Sequence, residues 1–322
     1  MVYLLLTGVA AGLASALLAA GAAAGSALAV PLFYLSPLPV MIAGIAFSPL
    51  SALVAVLVGG AGIGLAFGGS LVLTYAVSIG GPAFALSYAA MLARPDPAGR
   101  DGLVWFPVGG LVLLSAAVST LAVIIALFAV AGDYESYRRA AVAMFVVMYE
   151  AFVSGQMLPG SKPQADAQVL GAAFAHMLPA MVAVAAMVSQ LVCLYLAARA
   201  ALISGRLRRP WPTLSAFRLP PVTSLVLAVA IALSMAGAML GLSASAAAAT
   251  LVCAYALAGF AVVHAVTIGH SARFLILAGL WLTAAVFSWP ILAMALLGFA
   301  DAMFDFRSRM GSGQSPPAAN DR

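Results

Sequence analysis

The chain is a succession of apolar runs, each about as long as a bilayer is thick, separated by short polar breaks. A helix of about 20 apolar residues crosses a hydrocarbon layer of about 30 Å. Runs of this kind cover Val2 to Ala24, Leu28 to Phe47, Pro49 to Gly68, Leu71 to Leu92, Leu103 to Ala131 and Leu170 to Ile203. Three more follow: Pro221 to Leu242, Ala246 to Ile268 and Phe274 to Phe299. Lipid offers the backbone no hydrogen bonds, so each run must satisfy its own N–H and C=O groups as a helix. Composition points the same way. Of 322 residues, 65% are hydrophobic and only 7% are charged, against about 25% charged in soluble domains. The expected fold is all-α, a polytopic transmembrane helical bundle of eight or nine spans with broken or re-entrant segments. A water-soluble fold is excluded.

The first run reads as a span and not as a cleaved signal, because Met1 to Thr7 carries no Lys or Arg. Breaks then divide the chain. Residues 1–93 form an N-terminal transmembrane bundle interrupted by Pro31, Pro37 and Pro39, and again by Gly80, Gly81 and Pro82. Residues 94–168 hold one long span and the stretch Ala140 to Val153, too short to cross and so interfacial or re-entrant. Residues 169–300 form a C-terminal bundle, and 301–322 a polar tail.

Fourteen Lys and Arg stand against nine Asp and Glu, a net charge of +5. The basic residues sit in short loops between spans, which is a topology signal and not a nucleic-acid surface. The strongest loop carries Arg206, Arg208, Arg209 and Arg218, interleaved with Trp211 and Phe217. A cytoplasmic placement of this loop satisfies the positive-inside rule there. Three later spans then put Arg307 and Arg309 outside, in conflict with the same rule.

Gly8, Gly12, Ala16 and Ala20 recur every fourth residue, as do Gly60, Gly64 and Gly68. Such spacing lines one helix face with small residues and lets backbones approach in lipid. The first stripe is a candidate partner-docking face, and ordinary packing within the chain explains the second. Ionisable groups in apolar runs are costly and mark candidate sites. Glu150 beside Tyr149, His176 before Pro179, and His264 are the cases here. Asp301 and Asp305 share a helix face, with Arg307 close enough to neutralise one of them, a boundary ion cluster. Cys193 and Cys253 lie in apolar runs as small hydrophobes. No triad, paired-carboxylate, zinc or nucleotide-binding pattern occurs. The chain is therefore read as no enzyme, with no cofactor and no metal.

The string Gly298, Asp301, Phe304, Asp305, Phe306 and Arg307 resembles the YybS-like family of uncharacterised bacterial membrane proteins. Leu178, Pro179, the basic loop and Tyr255 to Val263 carry the same resemblance. It implies a multi-pass protein of the bacterial cytoplasmic (inner) membrane. The N-terminal part is similar to the membrane-embedded substrate-binding components of energy-coupling-factor transporters, which dock on a coupling subunit through small residues of their first helix. By that likeness Gly8, Gly12, Ala16 and Ala20 would be the docking face, although those components have six spans.

Broken helices free backbone groups that only protein or a polar cavity can shelter. A hydrated cavity is therefore expected, with Tyr34, Ser36, Tyr75, Tyr88 and Glu150 as substrate-binding residues. The leading expectation is a motor-less small-molecule binding or transport component; the alternative is a scaffold whose basic loop recruits a partner or anionic lipid. Expected partners are the bilayer, an unknown small molecule, and a coupling subunit or a second copy.

Overall fold

The computed structural model describes residues 1–21, 29–97, 102–153, 163–213, 217–287, 289–305 and 307. The protein is all-α, with 83% of the described residues helical. Seven helical segments among the described residues are long and apolar enough to cross a membrane. They are α1 (Val2–Ala20), the pair α2 (Ala29–Tyr34) and α3 (Pro37–Ala46), α4 (Pro49–Phe67), the pair α5 (Ser70–Tyr75) and α6 (Gly81–Ala90), α7 (Val108–Ala126), α9 (Pro163–Ile203) and α11 (Ala238–Val266). Between α6 and α7 the polar loop forms a small antiparallel hairpin, β1 (Ala93–Pro95) with β2 (Leu103–Trp105). The remaining helices are α8 (Tyr134–Val153), α10 (Val222–Ser234), α12 (Arg273–Val286) and α13 (Trp289–Phe304).

Local chemistry sets these boundaries. Ser48 caps α4 by accepting the Ser51 N–H at 3.1 Å, and Pro49 takes the first helical position, where a missing N–H costs nothing. Gly68, at φ +101°, ends that helix in a conformation open to glycine. Gly237 at φ +73° turns the chain between α10 and α11. The apolar run Pro221 to Leu242 is consequently divided, and α11 begins at Ala238, ahead of the expected Ala246. The run Phe274 to Phe299 is likewise two helices, broken at extended Phe287 before Pro290.

The chain forms two compact units. The first comprises residues 1–106, 111–210 and 230–250. Its core gathers around α3, where Val40, Met41 and Ile45 pack with Ala52, Leu86, Leu111, Cys193 and Ala197. The glycine stripe of α1 lies directly on α4: a methyl group at Gly8 would stand 2.7 Å from the Ser51 carbonyl and 2.8 Å from Val54. On α4, Gly60 and Gly64 face Val72 of α5.

At 41 residues, α9 is about 60 Å long, twice the hydrocarbon thickness. α7 and the helical turn that follows it pack along the C-terminal half of α9, with Val123 and Leu127 against Ala183. α8 packs along its N-terminal half, where the Tyr137 hydroxyl donates to the Ala175 carbonyl at 2.6 Å and Phe145 meets Phe174 at 5.1 Å. The stretch expected as a short interfacial or re-entrant piece is therefore part of a 20-residue helix paired with α9.

The second unit comprises residues 107–110, 211–229 and 251–322. Among its described residues, α13 crosses α11 where glycines allow backbone contact. Gly259 meets the Met294 carbonyl, and Gly298 meets the Tyr255 carbonyl and the Gly259 N–H. Tyr255 packs edge-on against Phe299, and Phe260 stacks on Trp281 of α12.

Candidate functional site

The helix breaks between α2 and α3, ahead of Pro37 and Pro39, and the backbone carbonyls of Phe33, Tyr34 and Ser36 around that break find side-chain donors. Tyr34 O accepts the Ser189 hydroxyl at 2.5 Å and the Cys193 thiol at 3.4 Å, both from α9. Phe33 O accepts the Ser36 hydroxyl at 2.6 Å. Ser36 O accepts the Ser15 hydroxyl at 2.7 Å, and Ser15 in turn meets the Tyr75 hydroxyl at 2.8 Å. Ser15, Ser36 and Tyr75 are buried, so the break is a packed polar knot. A hydrated hollow was expected here; side chains of α1, α5 and α9 do that sheltering instead.

A cavity does lie beside the break. It measures about 900 Å³ and opens between α2 and α9, lined by Pro31, Tyr34, Met181, Val188, Ser189 and Cys193, with Ala249 of α11. Its walls are almost wholly apolar. The Ser189 hydroxyl and Cys193 thiol are turned to the Tyr34 carbonyl. What remains suits hydrocarbon.

The five residues expected to bind substrate do not converge. Tyr34 lines the groove, Ser36 and Tyr75 belong to the buried knot, Tyr88 is exposed and stacks on Phe84, and Glu150 sits on α8. The proposed docking stripe is occupied as well. Gly8, Gly12 and Ala16 are buried and Ala20 half-buried; Gly8 and Gly12 face α4.

The basic loop divides between the two units. In the first, Arg206 reaches the Tyr3 hydroxyl at 3.5 Å and lies 4.6 Å from the centre of the Phe47 ring. Arg209 donates to the Ala90 carbonyl at 3.1 Å, capping the end of α6. Its burial there lowers its pKa from the ordinary arginine value. Arg208 is exposed. In the second unit, Arg218 is ion-paired with Asp305. Arg307 binds Asp301 Oδ2 through Nη2 and Nε, at 2.7 and 2.9 Å, and donates to the Phe217 carbonyl at 2.8 Å. Arg307 thus neutralises Asp301, whereas Asp305, at φ +47° beyond the end of α13, pairs with Arg218 of the basic loop and shares no helix face with Asp301.

One cluster escaped the sequence reading. Ser115 and Ser119, one turn apart on α7, both face the Gln190 side chain of α9. Thr120 meets Thr250 of α11 at 3.0 Å nearby in sequence. The available signal was Gln190 itself, the one amide side chain in the run Leu170 to Ile203.

No known family, curated protein or solved structure matches the chain.

Proposed function

We propose that this chain is a motor-less, multi-pass membrane component that binds an amphiphile by its hydrocarbon tail in the groove between α2 and α9. The observation that carries this reading is the groove's size and apolar lining beside a break whose polar atoms are already satisfied. Binding, not catalysis, is the proposed role. Tail recognition by such a surface is non-directional and grows with the apolar area covered. Tyr34, at the rim of α2, is the polar handle available to a headgroup.

We infer eight spans, a reading supported by contacts within each unit. In the first unit Arg206 touches Tyr3 and Phe47, and Arg209 touches Ala90, so the start of α1 and the ends of α3, α6 and α9 share one membrane face. Six crossings connect them. In the second unit Arg218 pairs with Asp305, so the chain between them crosses an even number of times. Of eight or nine spans, these contacts favour eight, with α12 and α13 entering and leaving as a re-entrant pair. Arg206, Arg208 and Arg209 are then cytoplasmic by the positive-inside rule, and the YybS-like resemblance supports the inner membrane of a bacterium. A coupling subunit, if one exists, would need a surface other than the α1 glycine stripe.

The test is native mass spectrometry of the full-length protein released from lipid nanodiscs. The unaltered protein should retain one long-chain amphiphile, and Ala185→Trp, which fills the groove, should lose it. Equal retention by both, or none by either, overturns the reading. The scaffold alternative predicts instead that Arg208→Gln lowers binding to vesicles containing anionic lipid and leaves amphiphile retention unchanged.

A further inference from the structure

Among the described residues, two buried side-chain polar atoms have no hydrogen-bond partner: the Tyr255 hydroxyl and Gln190 Nε2. Gln190 is 1% exposed. It lies nine residues before Arg199 on α9, about 14 Å along the axis, which is near the middle of a hydrocarbon layer of about 30 Å. An orphaned amide at that depth is costly and calls for a partner.

Four neutral oxygens are linked around it. Ser115 Oγ stands 3.3 Å from the Met187 carbonyl and 3.5 Å from Gln190 Oε1, and Ser119 Oγ stands 3.5 Å from the same Oε1. Hydroxyl hydrogen bonds centre on about 2.7–2.8 Å. These separations are too long for good hydrogen bonds, and they match the spacing of neighbouring ligands around one ion. Oxygens about 2.4 Å from a cation of calcium or sodium size stand about 3.4 Å from each other along an octahedral edge. Charge selects between the two ions. No Asp or Glu occurs in α7 or between Ala167 and Ile203 of α9, and a divalent ion in lipid needs carboxylates to offset it.

We propose that Ser115 Oγ, Ser119 Oγ, Gln190 Oε1 and the Met187 carbonyl form a sodium site between α7 and α9. Each serine hydroxyl can donate to the carbonyl one turn earlier on its own helix, leaving its lone pairs for the ion. A water on the ion's open side accepts the Nε2–H that is otherwise orphaned. The ion then accounts for the long contacts, and the water it carries accounts for the buried donor. The site is independent of the groove: Gln190 is buried, whereas Val188 and Val192, on the groove side of α9, are 43% and 46% exposed.

The experiment is thermal unfolding of the full-length protein in detergent, in NaCl, KCl or choline chloride at equal ionic strength, with binding of radioactive sodium measured alongside. Sodium should raise Tm saturably while potassium and choline do not, and labelled sodium should bind and be displaced by unlabelled sodium alone. Ser119→Ala and Gln190→Leu should each abolish both effects. If Gln190→Leu does not fold, Ser119→Ala and the isotope measurement decide. Identical melting in the three salts, absence of displaceable sodium, or a sodium effect unchanged in Ser119→Ala overturns the site and leaves a hydrated contact between helices. Amphiphile retention is read separately, so failure here does not bear on the groove.

Discussion

Arg307 folds its guanidinium back onto Asp301, six residues earlier, and both side chains are buried, at 6% and 4% exposure. The same guanidinium holds the Phe217 carbonyl, so one arginine ties the end of α13 to the segment that precedes α10. Breaking a buried pair from one side strands a desolvated charge, at a cost of about 3–5 kcal/mol. Asp301→Ala should lower Tm sharply in a detergent-solubilised melt. Replacing both partners at once, Asp301→Leu with Arg307→Met, should cost less than the single change. By contrast Arg218 and Asp305 are each about half exposed, and Arg218→Ala should change stability by no more than about 1 kcal/mol.

Gly12 is the closest approach of α1 to α4 that a single methyl would obstruct with backbone on the far side. A Cβ there meets the Ala55 carbonyl at 2.5 Å and the Gly59 N–H at 3.0 Å. Those atoms cannot rotate away as a side-chain tip would. Gly12→Leu should destabilise the protein by at least the 1–3 kcal/mol typical of overpacking, seen as a lower Tm and reduced yield of monodisperse protein. An α1 stripe reserved for an outside partner would tolerate the change when the protein is purified alone.

That stripe illustrates what the sequence could carry. A period of four small residues announces close helix packing, and it does so for Gly8 and Gly12; it does not say which helix arrives. Hydrophobic runs located nearly every helix, because length and apolar content are local properties. Breaks inside runs were legible at Pro37 and Pro39 but not at Gly237 or Phe287, since glycine and phenylalanine are ordinary residues in membrane helices. The fate of polar atoms was the least legible feature. Whether the carbonyl of Tyr34 faces water or Ser189 depends on a residue 155 positions away, and nothing in the local pattern encodes that distance. The same holds for Arg218, which looked like one of four loop arginines until Asp305 came beside it.

Asp133 begins α8. Its carboxylate accepts the Ser136 N–H at 3.0 Å and the Ser136 hydroxyl at 2.7 Å, and these bonds hold its pKa below the ordinary carboxylate value. A group depressed in the folded state contributes stability above its unfolded pKa and loses it as pH falls through the folded one. The first turn of α8 should thus be well protected at neutral pH and fray in acid, below about pH 4. Amide hydrogen exchange of residues 134–138 checks this. Asp133→Asn keeps an acceptor for the N–H and should flatten the pH dependence; a profile identical to that of the unaltered protein would remove Asp133 as its cause.

The proposed even number of crossings after the basic loop is tested through the pairing of Arg218 with Asp305. Taken alone, three runs after the basic loop put Arg307 on the opposite side from Arg206, against the positive-inside rule. Two atoms in an ion pair cannot lie on opposite faces of a bilayer, and the proposed even number of crossings between Arg218 and Asp305 rests on this contact. The conflict dissolves a second way, since Arg307 is neutralised by Asp301 and presents no free charge to be retained. A reporter fused after Arg322 and a cysteine placed at Arg208 should therefore report the same compartment. Fluorescence of a cytoplasmic reporter at the C-terminus, with labelling at position 208 only after the membrane is permeabilised, is the expected result. Opposite compartments would mean that the contact between Arg218 and Asp305 does not exist in the membrane.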